Sequence, residues 1–125
     1  AGGAIASEDA VVLGRSKMIR VLAVNYDDRF IRVEAGVTNL SVTAVVAENG
    51  FFYAPDPSSQ LACTIGGNIA NNSGGAHCLK YGVTTNNLLG VRMVLIDASI
   101  SAVTISIALD SICWAWSSAP RGSSG

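Results

Sequence analysis

Residues 63 to 82 read CTIGGNIANNSGGAHCLKYG, five glycines and three asparagines among small and apolar residues. These types suit a ligand that backbone must approach closely. Thr64 can cap a helix opening on Ile65-Gly66-Gly67, leaving N–H groups aimed outward with no Cβ in the way, an anion site suited to phosphate or diphosphate. Asn68, Asn71 and Asn72 carry amides that both donate and accept, as the polar edge of a ring requires. Ser73-Gly74-Gly75 lets the backbone pass a flat group or turn sharply. Gly2-Gly3 could belong to a second glycine loop. Two glycine pairs alone are more often turns than ligand contacts, and no G-x-G-x-x-G after a strand, Walker lysine pattern or G-x-S-x-G accompanies them. The residues by themselves reach a phosphate-bearing ligand and stop there.

Other reactive residues add little. His77 and Cys78 are neighbours whose side chains point apart, and the sequence shows no third group to orient them, so no catalytic residue is assigned. Lys80-Tyr81 reads as a surface charge beside a packed ring. Cys63, Cys78 and Cys113 lack C-x-x-C spacing and are odd in number, which favours reduced thiols. With a single histidine, no metal site is assigned.

The elements that must position the glycine stretch follow from pattern. Val11-Val12-Leu13 reads as a short buried strand. VLAVNYDDRFIRVEAG carries two apolar runs around Asp27-Asp28, which predicts an antiparallel hairpin rich in β-branched residues. Thr38 is an N-cap candidate and Gly50 a C′ candidate, so a helix over about 39–48 is expected, with Leu40, Ala44, Val45 and Ala47 as its apolar face. Pro55 and Pro57 make FFYAPDPSSQ an ordered loop rather than a strand. LLGVRMVLID, residues 88–97, reads as a strand.

The chain has 125 residues, 50% of them hydrophobic, and a formal net charge of −1. That suits one domain with a real core and gives no basic footprint for nucleic acid. The longest apolar runs are too short to span a bilayer, and no signal sequence opens the chain. The opening, AGGAIASEDAVVLG, has neither Met nor cap, as if cut from something longer.

Read in order, VEAGVTNL, ENGFFYAPDPSSQLACTIGGNIANNSGGAHCLKYG and GVTTNNLLGVRMVLID resemble the FAD-linked D-2-hydroxyacid dehydrogenases, the group of glycolate oxidase flavoprotein subunits and D-lactate dehydrogenases. The resemblance covers roughly residues 1 to 97. It implies an α+β fold, an FAD-binding domain of the vanillyl-alcohol oxidase (PCMH) type, here partial. It implies FAD as cofactor, with Pro57, Ser58, Ser59, Cys63 and Thr64 along it, Gly66 and Gly67 near its diphosphate, Asn71, Ser73, Gly74 and Gly75 around the flavin, and Asn68 also among the cofactor-binding residues. In the full-length protein it further implies a small 2-hydroxy acid substrate, glycolate or alternatively D-lactate or 2-hydroxyglutarate, and other oxidase subunits as partners. The place expected is cytoplasmic, or membrane-associated through those subunits. A non-catalytic domain binding a nucleotide or a partner is the rival reading. The family's first diphosphate loop would precede Ala1, and its substrate domain would follow.

The end of the chain departs from the family. After Asp97 the only charged residues are Asp110 and Arg121, and both tryptophans fall there. A buried strand pair would account for ASISAVTISIALDSICWAW. Alternatively, permissible codons from Val103 onward, read one base earlier, encode a family-like stretch that ends in a Gly-Ser-Glu-Gly loop. The expected division is therefore a partial FAD-binding domain, 1–97, and a tail from a shifted reading frame, 98–125.

Overall fold

The computed structural model describes residues 5–95, 97, 99–101 and 105–111. The expected hairpin is present: β1, Val21–Asn25, pairs antiparallel with β2, Phe30–Val33. Its turn is held by the Asn25 side chain, whose Oδ1 accepts from the Asp28 N–H at 2.8 Å and whose Nδ2 donates to Asp28 Oδ2. This local amide bonding is what favours Asn before a turn. Arg29 closes the turn at φ +52°. Val11, Val12 and Leu13 form no strand and are 87%, 75% and 83% exposed. Apolar content alone suggested burial there, but no element of the described chain pairs with that segment.

The segment just before β1 is fixed differently. Arg20 and Glu34 exchange main-chain and side-chain bonds, with Arg20 Nη2 2.7 Å from Glu34 Oε1, and the Gly36 N–H donates to Met18 O. Gly36 is required here, because a Cβ would stand 2.6 Å from Arg15 O and 2.7 Å from Met18 O.

Helix α1 spans Asn39–Val46, with Thr38 accepting from the Ser41 N–H, and a 3-10 turn, Ala47–Asn49, continues it to Gly50 at φ +76°. Both caps stand where expected, but the buried face is Asn39, Val42 and Val46. Leu40, Ala44, Val45 and Ala47 are exposed. The hidden stripe begins with a polar residue, so hydrophobicity did not reveal it; Asn39 is buried because its amide is fully used, as shown below.

Phe51–Phe52 form a short strand, β3, after which residues 53–63 are irregular, as the prolines dictate. Helix α2, Ile65–Asn71, and a single turn α3, Cys78–Tyr81, follow. The expected continuous strand over 88–97 is broken into β4, Leu88–Gly90, and β5, Met93–Val94. β4 carries a register irregularity at Leu88/Gly90 in its pairing, and Met93, Val94 and Leu95 lie exposed, so the described residues give this run no covering layer of the kind an apolar strand needs.

Beyond Asp97 the described residues form β6, Ile100–Ser101, β7, Ser106–Ala108, and β8, Asp110–Ser111. β7 lies between β2 and β4, antiparallel to both, in a sheet of order β1-β2-β7-β4, while β8 pairs with β3 and β6 with β5. Period-2 alternation sends Ile105, Ile107 and Leu109 inward with Ile31 and Val33 of β2. Val42 and Val46 of α1, Ile65 of α2, Val37 and Tyr53 complete this core. The remaining residues of the tail, Cys113 and both tryptophans among them, lie outside the described set. Among the described residues no helix is long and apolar enough to cross a membrane.

Candidate functional site

The glycine stretch folds as a helix with a polar return. Thr64 caps α2: its Oγ1 accepts from the Gly67 N–H at 3.2 Å and its main-chain oxygen from Asn68 at 2.9 Å. The next donors are not free. Ile65 N–H donates to Val37 O and Gly66 N–H to Ala35 O, at 2.8 and 2.9 Å. The N–H groups expected to point outward at this helix end therefore have partners within the fold. A bridge between Thr38 and Thr64, with Asn39 N–H donating to Cys63 O, docks the start of α2 against the start of α1.

The glycines divide into two kinds. Gly66 is buried, and a Cβ would lie 2.8 Å from Ala35 Cβ and 2.9 Å from Ala35 O. Gly75 abuts Asp56, whose main-chain and Oδ1 oxygens a Cβ would overlap, and a Cβ on Gly74 would stand 3.0 Å from Val83 Cγ1. These make room for protein. Gly67 does not: among the described residues a Cβ there would meet only the Thr64 hydroxyl, at 3.2 Å.

The asparagines also serve the fold. Asn68 is buried, and its Nδ2 donates to Asn39 Oδ1 at 3.1 Å, while Asn39 Nδ2 donates to Pro55 O at 2.8 Å. This buried amide chain joins α2, α1 and the proline loop. A loop that lacks ladder bonds is thereby fixed by side chains. Asn71 donates to Gly67 O, and Asn72, left-handed at φ +46°, ends α2 and accepts from the N–H and hydroxyl of Thr85. Ser73 O takes both donors of Thr84.

Pro57 is buried, whereas Ser58, Ser59, Leu61 and Ala62 are exposed and Cys63 and Thr64 half-buried. Ser59 O accepts from Ala62 and Cys63, which curls this stretch into two turns leading into α2. The Ser58 and Ser59 hydroxyls make no hydrogen bond among the described residues. Of the predicted contact residues, Ser58 and Ser59 are therefore exposed, Cys63, Thr64 and Gly67 half-buried, and Pro57, Gly66 and Asn68 buried. Cys63 and Cys78 carry free thiols.

Two features escaped the sequence. Asp56 meets His77, so the imidazole does have an orienting carboxylate, supplied from twenty-one positions away along the chain. Tyr53 is buried with its hydroxyl unpaired among the described residues. Burial raises its pKa to about 12, against a lowering contribution from nearby Thr84, whose own hydroxyl is committed to Ser73 O. Lys80, as expected, lies by the Tyr81 ring, 4.8 Å from its centre.

A family profile described as FAD binding domain matches residues 1–104. The chain belongs to that family. FAD is accordingly the cofactor of this domain, and its fold is α+β, of the FAD-binding PCMH type. The glycolate oxidase subunit GlcD of Escherichia coli strain K12 is 48% identical over 111 residues, 88% of this chain and 22% of that protein. The D-lactate dehydrogenase of Archaeoglobus fulgidus is 38% identical, over 79% of this chain and 22% of its own length. The chain thus spans about a fifth of these relatives. A solved alkyldihydroxyacetonephosphate synthase superposes at a TM-score of 0.68 over 76% of this chain and 22% of its own, with 17% identity, which places the fold. The residues fit FAD: an exposed hydroxyl-bearing stretch, Ser58 and Ser59, precedes a helix whose Gly67 would set a Cβ against the Thr64 hydroxyl alone among the described side chains within 4 Å.

Proposed function

We propose that this segment holds FAD in a full-length flavoenzyme that oxidises glycolate or another D-2-hydroxy acid to the 2-oxo acid. The open face of Gly67 carries the structural side of the reading, because packing explains the other glycines of the stretch so far considered. When bound, FAD supplies the two-electron acceptor for that oxidation. The residues' own part is to bind and orient. Pro57, Ser58, Ser59, Cys63 and Thr64 run along the cofactor, and Gly67 admits its diphosphate. Asn71, Ser73, Gly74 and Gly75 border the flavin, with Gly66 and Asn68 acting from behind. The partners in this reading are a small 2-hydroxy acid and other oxidase subunits, and the place is cytoplasmic or at a membrane through those subunits. The names of the relatives support it.

The experiment compares the full-length protein with its Gly67→Val variant. The wild type is expected to purify with bound flavin and to oxidise glycolate, D-lactate or D-2-hydroxyglutarate with an artificial electron acceptor. The variant is expected to lose flavin while keeping its far-ultraviolet circular dichroism. Normal flavin content in the variant removes the assignment of Gly67; a wild type that takes up no flavin on reconstitution favours a partner-binding domain.

The division into a partial FAD-binding domain, 1–97, and a frame-shifted tail, 98–125, belongs to the same proposal. The loss of charge after Asp97 supports it, and the alternation at Ile105, Ile107 and Leu109 suits a sheet whichever frame produced it. Sequencing the source DNA across Asp97–Ala98 tests it: codons that yield no family-like loop in the neighbouring frame end the idea.

A further inference from the structure

Asp56 sits between Pro55 and Pro57, both buried, in a stretch that has no ladder to hold it. His77 follows the Gly74-Gly75 turn. It brings two groups to one carboxylate: its main-chain N–H donates to Asp56 Oδ1 at 3.4 Å, and its Nδ1 lies 2.5 Å from Oδ2. Both contacts are within hydrogen-bond distance of the one carboxylate. Gly75 packs on the same residue so closely that a Cβ would overlap Asp56 O and Oδ1. One step further out, the rings of Phe52 and Tyr81 meet edge to face at 5.8 Å. The stretch 52–57 is thus stitched to the stretch 75–81 at three successive levels.

The His77 side chain is 67% exposed and that of Asp56 26%. A side-chain contact this open adds little to global stability. Its effect is geometric, since it ties the irregular residues 53–57 to the residues that lead into α3. We propose that the Asp56–His77 clasp is a positioning device for FAD. It sets the gap between the Pro57–Thr64 stretch and the Gly74–Gly75 turn before the cofactor arrives, so that binding need not order them. The inference rests on the reading that these two stretches border FAD.

The test uses the full-length protein, stripped of flavin and titrated with FAD while flavin fluorescence is followed. Asp56→Ala and His77→Ala are each expected to weaken FAD binding by about tenfold, a coupling of ~1.4 kcal/mol. The double variant is expected to bind no worse than the weaker single one, since both break the same tie. His77→Asn, which can place an amide donor near the Nδ1 position, recovers most of the affinity, while His77→Phe, which keeps ring bulk without a donor, does not. That order also decides the matter should either alanine variant fail to fold. Wild-type affinity in a folded alanine variant overturns the clasp, as do additive losses in the double variant or equal affinities for the Asn and Phe variants. A wild type that binds no FAD overturns the cofactor reading itself and the clasp with it.

Discussion

Adjacent glycines in one helical turn have opposite reasons for being glycine. At Gly66 the reason is Ala35, whose Cβ and carbonyl oxygen already fill the place of a side chain. At Gly67 a Cβ would meet, among the described residues, only the Thr64 hydroxyl, at 3.2 Å. Gly66→Ala is therefore expected to destabilise the protein by about 1–3 kcal/mol through overpacking against backbone. Gly67→Ala should stay within ~1 kcal/mol, because the gain in helix propensity offsets the crowded cap. Urea titrations of both variants, followed by circular dichroism, check this. Equal losses at the two sites would mean that neither glycine is left free for a ligand.

The elements around the site are held by polar side chains more than by hydrophobic pattern. Asn39 shows this most directly, since it hides in the core yet its amide binds Pro55 O and Asn68 together. Asn39→Leu leaves a buried donor and a buried acceptor unpaired and is expected to cost about 2–4 kcal/mol. Thr64→Ala removes one cap bond and should cost ~0.5–2 kcal/mol. Thermal denaturation of the two variants separates these magnitudes; the reverse order would relocate the stress to the cap. The same residues explain what could be read from the sequence. Thr38, Gly50, Thr64 and the Asp27-Asp28 turn are local signals that act over one helical turn or one hairpin, and the structure puts each where it was expected. The inward face of α1, the partner of His77 and the fate of the α2 donors depend on residues far apart in the chain, and no local period carries that information. Val11 to Leu13 misled for the same reason: an apolar run indicates a wish for cover but not whether the cover is there.

For the whole molecule, the buried Tyr53 hydroxyl makes stability depend on pH. Its folded pKa of about 12 stands above the ordinary 10.0, chiefly because burial penalises the phenolate. The unfolded chain therefore loses this proton first, and the stabilisation, fully present below pH 10, is lost as pH rises toward 12. Two units correspond to about 2–3 kcal/mol. Tyr53→Phe is expected to flatten that part of the profile while changing stability at neutral pH by no more than ~1 kcal/mol, since the hydroxyl it removes has no partner among the described residues. Urea midpoints measured from pH 7 to 11.5 give the comparison. An unchanged slope in the variant would assign the effect to another group.

The place of β7 has a consequence in time. Ile31, in the first hairpin, meets Ile107, which the ribosome adds only after α1, α2 and β4. Until then the inner edge of β2 has no neighbour, and a sheet edge with open donors and acceptors is a template for any passing strand. Closing so long a loop is slow because its entropy must be lost before the non-local contacts repay it. The nascent chain thus passes through an interval in which its hairpin is made and its centre is not. During that interval the rate of synthesis and the access of chaperones, rather than the final free energy, govern how much protein escapes aggregation.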